Sequence, residues 1–377
     1  MIIVDFRARM YRRFAGKAFI EYFVMEISST VMFHRGFEQQ RMRVIYWTSL
    51  SDKPILNLFG KSVTKFHLIY SIVKPIIRNR ESMYLYKNLF LASRPWSFTM
   101  TAISVSVGAI LGAIDGSFSW GLYLLTLIGT ICMHGAANLI NDYYDVASGI
   151  DSQEVSTAQY RPHPLVEGTL SPRFVKAEAY VLFLLAALIG IYLAVTRGWI
   201  VLAIGIVGFL AGLFYTAPPL KYKYNAWGEV SVFLMWGPLM VEGAYFVQRQ
   251  TLSMDAFLIS LPFGVLVALV LLANNLRDRV NDESRGIKTI PILLGRRKGM
   301  RLYAALIILA YLAVVIMSLF GPLTLWSLIV LLSLPLPLHF LRQMIKDTPD
   351  DADAQTAKID TAFGILLVVS LVLERFL

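Results

Sequence analysis

Two short stretches of the 377-residue sequence gather carboxylates and side-chain amides at helical spacing. The first reads Asn138-Leu-Ile-Asn141-Asp142-Tyr143-Tyr144-Asp145-Val-Ala-Ser-Gly149-Ile-Asp151. The second reads Asn274-Asn275-Leu-Arg277-Asp278-Arg279-Val-Asn281-Asp282 and runs on to Arg285, Gly286, Lys288 and Thr289. On a helix, Asn138, Asn141 or Asp142, and Asp145 fall at i, i+3 or i+4, and i+7, so their oxygens project from one face. Gly149 is placed to end that helix and let Asp151 turn back. Asn274, Asp278 and Asp282 recur every fourth residue and share a face in the same way. Carboxylates and amide oxygens with no His or Cys beside them are a hard donor set, suited to Mg²⁺ far better than to zinc. A diphosphate is the natural ligand for such ions to hold.

The elements that must carry these clusters lie in a bilayer. Hydrophobic residues make up 56% of the chain and charged residues 16%, against roughly 25% charged in soluble domains, and the mean hydropathy is +0.60. Apolar runs of spanning length recur about nine times, near 97–114, 119–140, 175–195, 198–217, 229–247, 256–275, 302–320, 322–341 and 361–377. An all-α, polytopic membrane protein is expected. The clusters close the second and sixth spans. An ionisable residue near a membrane helix costs about 2.5–3.5 kcal/mol on insertion scales, so such clusters need a reason. One alone could be a polar helix end whose acids pair with neighbouring Arg and Lys. Two of the same chemistry on one side of the membrane are hard to obtain that way.

The formal charge of +10 is unevenly spread: residues 1–88 hold 15 Lys/Arg and 6 Asp/Glu, leaving 20 and 19 for the remainder. The basic excess therefore belongs to the N-terminal stretch, and no nucleic-acid partner is implied. If the flank before the first span is cytoplasmic, the cytoplasmic connections carry sixteen Lys/Arg, eight of them between Arg277 and Arg301, and the opposite side only Arg197, Arg249 and Arg375. That positive-inside bias places both clusters on the cytoplasmic side. Cys132 is the sole cysteine, which excludes an intrachain disulfide and a Cys-built metal site. Charges such as Arg12, Lys17, Glu21 and Glu26 interrupt every apolar stretch before residue 88, so this part reads neither as a span nor as a cleavable signal. Val63 to Arg80 mixes aromatic and basic residues as an interfacial helix would. The alternatives are an accessory extension or a start at Met83. The expected division is 1–88 and 89–377.

The two motifs resemble the Asp-rich pair of UbiA-type intramembrane aromatic prenyltransferases over about residues 88–377. Within that family, the Asn-Asp-Tyr-Tyr-Asp-x-x-x-Gly-x-Asp form at 141–151 and the second motif with Gly286-Ile-Lys288-Thr289 and Leu294-Gly295 resemble the branch that prenylates 1,4-dihydroxy-2-naphthoate in menaquinone synthesis (MenA). Position 149 is Gly and the acid follows at Asp151, which departs from the commoner family spacing and points to that branch. Tyr160-Arg161-Pro162 through Ser171 is similar instead to a loop of the family at large. Ala92-Ser93-Arg94-Pro95-Trp96 resembles the family's lead-in to the first span, and Tyr215-Thr-Ala-Pro-Pro-Leu-Lys221 its loop after the fourth, with altered spacing.

The resemblance implies a UbiA-like bundle with a central lipid-accessible pocket. It implies Mg²⁺ held by Asn141, Asp145 and Asp151 on one side and by Asp278 and Asp282 on the other, with Asp142 also a candidate ligand. Asp145, Asp278 and Asn141 are the expected catalytic residues. The expected substrate contacts are Asn138, Arg94, Arg161, Lys221, Asn275, Arg277, Lys288, Tyr144 and Tyr215. The implied partners are a polyprenyl diphosphate, a small aromatic acceptor and the bilayer, in a prokaryotic-type inner membrane with the site facing the cytoplasm. The implied reaction is polyprenyl transfer to 1,4-dihydroxy-2-naphthoate with decarboxylation. Another acceptor such as 4-hydroxybenzoate is the alternative among enzymes. A transporter with acidic ion sites is the alternative outside them, and acids at span ends rather than mid-membrane argue against it.

Overall fold

The computed structural model of the protein describes residues 83–151 and 161–376. The expected interfacial segment at Val63–Arg80, the rest of residues 1–82, and Tyr160 lie outside that range. In lipid every backbone polar group must find a partner within the protein, so apolar spans of this length become helices. Among the described residues there is no strand, only one isolated parallel bridge between Asn225 and Lys288.

Among the described residues, eight helices are long and apolar enough to cross a membrane: α1 (Pro95–Ile114), α2 (Trp120–Ala147), α3 (Pro172–Arg197), α5 (Gly228–Arg249), α6 (Met254–Arg277), α9 (Arg296–Phe320), α10 (Leu325–Lys346) and α11 (Ala352–Phe376). Between α3 and α5 lies α4 (Trp199–Phe214), and the short helices α7 (Arg279–Ser284) and α8 (Ile290–Leu294) follow α6. The nine expected spans thus all appear as helices. The fourth is a correction in length: its 16 residues reach about 24 Å at 1.5 Å per residue, short of a hydrocarbon core of about 30 Å. Gly198, at φ +122, both ends α3 and starts α4, a conformation that a side chain would resist. Ser119, Ser171 and Ser253 cap α2, α3 and α6 through their hydroxyl oxygens.

The packing leaves a space between two cores. The larger joins α1, α5, α6, α9, α10 and α11 around Phe263, Tyr303, Phe363 and Leu367. Tyr303 with Thr356 (2.8 Å) and Tyr311 with Ser333 (2.7 Å) tie these helices by hydrogen bonds. The smaller joins α2 and α3 around Leu139, Ile140, Val175 and Phe183, and Leu85 and Leu89 of the helical stretch 83–92 pack on it. The first of these leucines lies before the expected division at 89, yet it belongs to the same body as the spans. Apolar side chains such as Leu184, Leu188, Val195, Ile308 and Phe320 point outward, as lipid-facing residues do.

Helix α5 is bent at Met235–Leu239, where Pro238 interrupts the ladder and Gly237 leaves helical geometry. The bend sits against α6 at Gly264, where an added Cβ would lie 2.7 Å from the Gly237 Cα. Ser104 of α1 donates to the Trp236 carbonyl (2.6 Å). Trp236 is thereby turned inward, and its Nε1 donates to Thr101 (3.2 Å).

Candidate active site

The first cluster occupies the last turns of α2, which runs on to Ala147, beyond the apolar stretch that ends near 140. Asn138, Asn141 and Asp145 face the space between the cores, and all three line one cavity of about 1010 Å³. Asp142 does not share that face. It turns aside to take a hydrogen bond and ion pair from Arg94, so its geometry is that of an anchor for the Arg94 turn. Gly149, at φ +71, reverses the chain, and the Asp151 amide donates back to the Asp145 carbonyl (3.2 Å). Asp151 accepts from His163 Nε2 (3.1 Å), and Asp142, Asp151 and His163 bring their ligating atoms within 4.8 Å of one another. Burial pushes the Asp151 carboxyl up, but the His163 hydrogen bond and the charges of Lys223 and Arg94 outweigh it and hold the group at about 2.

The buried Asp145, only 2% exposed at its side chain, is matched from the loop after α4. Lys223 Nζ donates to Asp145 Oδ2 (2.7 Å) and to Asn141 Oδ1 (3.0 Å), while the Tyr224 hydroxyl donates to Asp145 Oδ1. Burial and the Asp145 charge push the Tyr224 phenol up, so it stays a donor. Lys223 Nζ lies 5.7 Å from the centre of the Tyr215 ring, a cation–π approach. Its position is set by the backbone: Lys221 adopts φ 44, the Lys223 amide bonds the Tyr215 carbonyl, and the Lys288 amide bonds the Tyr224 carbonyl (both 3.0 Å).

The second cluster straddles the break between α6 and α7, with Asp278 at the junction and its amide still bonded to the Asn274 carbonyl (2.9 Å). Asn274, Asn275, Asp278 and Asp282 line the same cavity as the first cluster. Arg277 grips both Asp278 oxygens (2.8 and 2.6 Å), the Asn274 oxygen (2.7 Å) and Asp353 of α11 (2.7 Å), a bidentate clamp that fixes the acid. Burial and the neighbouring Asp278 charge raise Asp282 to about 7. Arg285 donates to the Ile150 carbonyl and ties the two clusters together.

Several expected contacts are therefore reassigned. Lys221 and Lys288 are absent from the cavity wall; Lys223 takes the place expected for Lys221, and Lys288 acts through its backbone. Arg277 clamps Asp278 from behind. Tyr144 packs into the smaller core, edge-on to Tyr143 at 5.2 Å, because it lies about 100° round the helix from Asp145. Arg94, Arg161, Asn138, Asn275 and Tyr215 do line the cavity. Arg161 lies over the Trp96 ring at 5.9 Å. The sequence reading missed Lys223, Tyr224, His163 and Asp353. Lys223 and Tyr224 stood two and three places beyond Lys221, and His163 between two prolines of the loop already singled out.

The clusters offer a cation only oxygen ligands, apart from His163 behind Asp151. Lys223 Nζ already occupies a cation's position between Asn141 and Asp145. Both observations fit a hard divalent ion at this end of the cavity, held by Asn141, Asp145 and Asp151 and by Asp278 and Asp282. Beyond the clusters, the cavity passes His134 and Trp236 and continues between α2, α3, α4 and α5 along an apolar wall that includes Gly190, Gly205, Gly208 and Val247.

Residues 101–366 match the UbiA prenyltransferase family. The 1,4-dihydroxy-2-naphthoate octaprenyltransferase of Bacillus subtilis (strain 168) is 30% identical over 295 residues, covering 76% of this chain and 93% of that protein. UbiA prenyltransferase domain-containing protein 1 of Xenopus tropicalis is 31% identical over 286 residues, covering 75% and 81%. A solved UbiA homologue from Archaeoglobus fulgidus, bound to DMAPP and Mg²⁺, shares the fold with a TM-score of 0.53 at 16% identity, over 76% of this chain and 99% of that one. Another from Aeropyrum pernix K1 gives 0.57 at 14% identity, over 73% and 97%. Both acidic clusters lie inside the matched stretch, and the chain belongs to the UbiA prenyltransferase family.

Proposed function

We propose that the protein transfers a polyprenyl group from a polyprenyl diphosphate to 1,4-dihydroxy-2-naphthoate, with loss of the acceptor's carboxylate, as a step in making menaquinone. One observation carries the reading: both acidic clusters converge on the head of a single cavity whose remaining length is apolar. That shape suits a ligand with an anionic head and a long hydrocarbon tail. The acceptor is suggested by the Gly149 and Asp151 spacing and by the likeness to the Bacillus subtilis enzyme.

Asn141, Asp145 and Asp151 would hold one Mg²⁺, and Asp278 and Asp282 another. When bound, the ions supply positive charge that stabilises the departing diphosphate. Arg277 keeps Asp278 in place, and His163 does so for Asp151. Lys223 and Arg94 add positive charge at the same end, where negative charge accumulates as the C–O bond breaks. The electron pair leaves with diphosphate, a carbon–carbon bond forms to the acceptor ring, and the ring's carboxylate departs as carbon dioxide. Tyr215 and Trp236 line the cavity, where their aromatic rings would stabilise the allylic cation and keep water from it. The charge asymmetry of the connections supports a site facing the cytoplasm, in a prokaryotic-type inner membrane.

The test is incubation of purified protein with Mg²⁺, one long polyprenyl diphosphate and a panel of aromatic acceptors, followed by mass analysis. A prenylated naphthalenediol lacking the carboxylate is expected. Product only with 4-hydroxybenzoate would move the acceptor assignment, and no diphosphate release with any acceptor would overturn the reading.

A further inference from the structure

Lys358 belongs to none of the interactions described above. The apolar pattern leaves Lys358 in the connection before the last span, but α11 begins at Ala352, and Lys358 lies on the second turn of that helix. The face of α11 that lines the cavity carries Asp353, Ala354, Ala357, Lys358, Thr361, Ala362 and Ile365, so Lys358 is its one cation, and Asp353 is already clamped by Arg277. Among the described residues Lys358 forms no ion pair. Lys358 is exposed and lines the cavity, and with no partner among the described residues its ammonium is open to an anionic group of the ligand.

The depth of Lys358 in the cavity follows from one contact. Thr99 of α1 and Thr361 of α11 meet at 3.4 Å between their hydroxyl oxygens. Both helices start at the acidic end, α1 beside Arg94 and α11 at Asp353, and therefore run in the same direction. Trp96 and Lys358 each precede the contact by three residues, so both lie about one turn, roughly 4.5 Å, nearer the acidic end. Trp96 and Lys358 thus flank the cavity at one level where α1 meets α11, and Arg161 covers the Trp96 ring.

We propose that Lys358 binds the carboxylate of the aromatic acceptor, with Trp96 as the platform for its ring. This rests on the proposed acceptor class and adds the group that reads it. A lysine is a compact charge on a flexible stem, suited to an anion that approaches from the side of the cavity. The pairing also distinguishes substrate from product: once the carboxylate has left as carbon dioxide, Lys358 loses its partner and the neutral prenylated ring is held less tightly.

The test is direct binding of 1,4-dihydroxy-2-naphthoate to the full-length protein, read by quenching of tryptophan fluorescence, alongside steady-state kinetics. Lys358→Ala should weaken naphthoate binding and raise its KM by about ten- to a hundredfold, the range for loss of a charged hydrogen bond. Lys358→Arg should recover most of that loss. Naphthalene-1,4-diol, which lacks the carboxylate, should bind wild type and Lys358→Ala alike. The KM for polyprenyl diphosphate should not move. Equal naphthoate binding by wild type and Lys358→Ala would overturn the proposal, as would a rise confined to the donor KM. Failure of the functional reading is separate: no prenylated product would form, while the binding comparison would still judge Lys358.

Discussion

Replacing Lys223 with Met removes the cation between Asn141 and Asp145 and retains much of its length. Lys223 Nζ and Asp145 Oδ2 are 2.7 Å apart. At an effective dielectric constant of about 20, that separation corresponds to an attraction of about 6 kcal/mol before desolvation is deducted. Breaking buried pairs by removing one partner costs about 3–5 kcal/mol. The Asp145 side chain is almost wholly buried, so Lys223→Met should lose stability of that order in EDTA. Magnesium should then act differently on the two proteins. Wild type must surrender the Lys223 contact when a divalent ion takes the oxygens of Asn141 and Asp145, whereas the variant has nothing to surrender. If about 3 kcal/mol is at stake, the variant should bind Mg²⁺ about a hundredfold more tightly, since each 1.4 kcal/mol is a factor of ten. Its prenyl transfer should nonetheless fall, because the positive charge near the diphosphate is gone. The assay is thermal unfolding in detergent across a magnesium titration, with turnover measured in parallel. Equal unfolding temperatures in EDTA, or equal magnesium shifts in both proteins, would refute the reasoning.

Asp278→Ala should abolish prenyl transfer while the protein still inserts and elutes as wild type on size exclusion; wild-type turnover would remove Asp278 from the site. Gly208→Phe should block long prenyl donors and spare short ones, since a Cβ at Gly208 meets nothing within 4 Å and the position opens on the cavity. Gly205→Phe, about 4.5 Å deeper along α4, should admit a longer tail than Gly208→Phe. Turnover measured with geranyl, farnesyl and geranylgeranyl diphosphates checks both, and equal loss at all lengths would contradict the tail path. Asp282, raised to about 7 by burial and Asp278, holds a proton below that pH and must release it to become a ligand. Apparent magnesium affinity should therefore strengthen as pH rises from 6 to 8 and then level off, with proton uptake or release followed by calorimetry in two buffers.

The spans were legible because apolar runs of this length are too costly to leave in water and match the thickness of a bilayer. Helix ends were less so. The apolar pattern stopped α2 near 140 and started α11 at 361, whereas the helices extend to Ala147 and back to Ala352. Three acids in those added turns are buried and paired: Asp142, Asp145 and Asp353 meet Arg94, Lys223 and Arg277 instead of water. Hydropathy records the side chain and not its partner. The acids of the candidate site were likewise legible from spacing, and the cations were not. Lys223 rather than Lys221 reaches Asp145 because Lys221 adopts a left-handed backbone conformation, which sequence spacing does not show. His163 is twelve residues from Asp151 and meets it only because the chain reverses after Gly149.

This arrangement bears on how the protein exists before any metal arrives. Among the described residues, Asp142, Asp145, Asp151 and Asp278 each face a side chain that is or can become cationic: Arg94, Lys223, His163 and Arg277. Asp282 alone makes no such pair and instead keeps a proton near neutrality. Five carboxyl groups crowded at the end of a membrane cavity would otherwise repel one another and pay heavily for burial. Paired or protonated, they are neutral enough for the bundle to fold without metal. Arg277 holds Asp278 from behind the cavity wall, and Arg94, although it lines the cavity, holds Asp142, which does not, so both pairs can persist through the reaction. Lys223 and the Asp282 proton stand in front, and these two must be exchanged for a divalent ion. The partition assigns binding to the front pair and scaffolding to the rear pair. Loss of Arg277 should accordingly damage stability with and without magnesium, whereas loss of Lys223 should damage it only without.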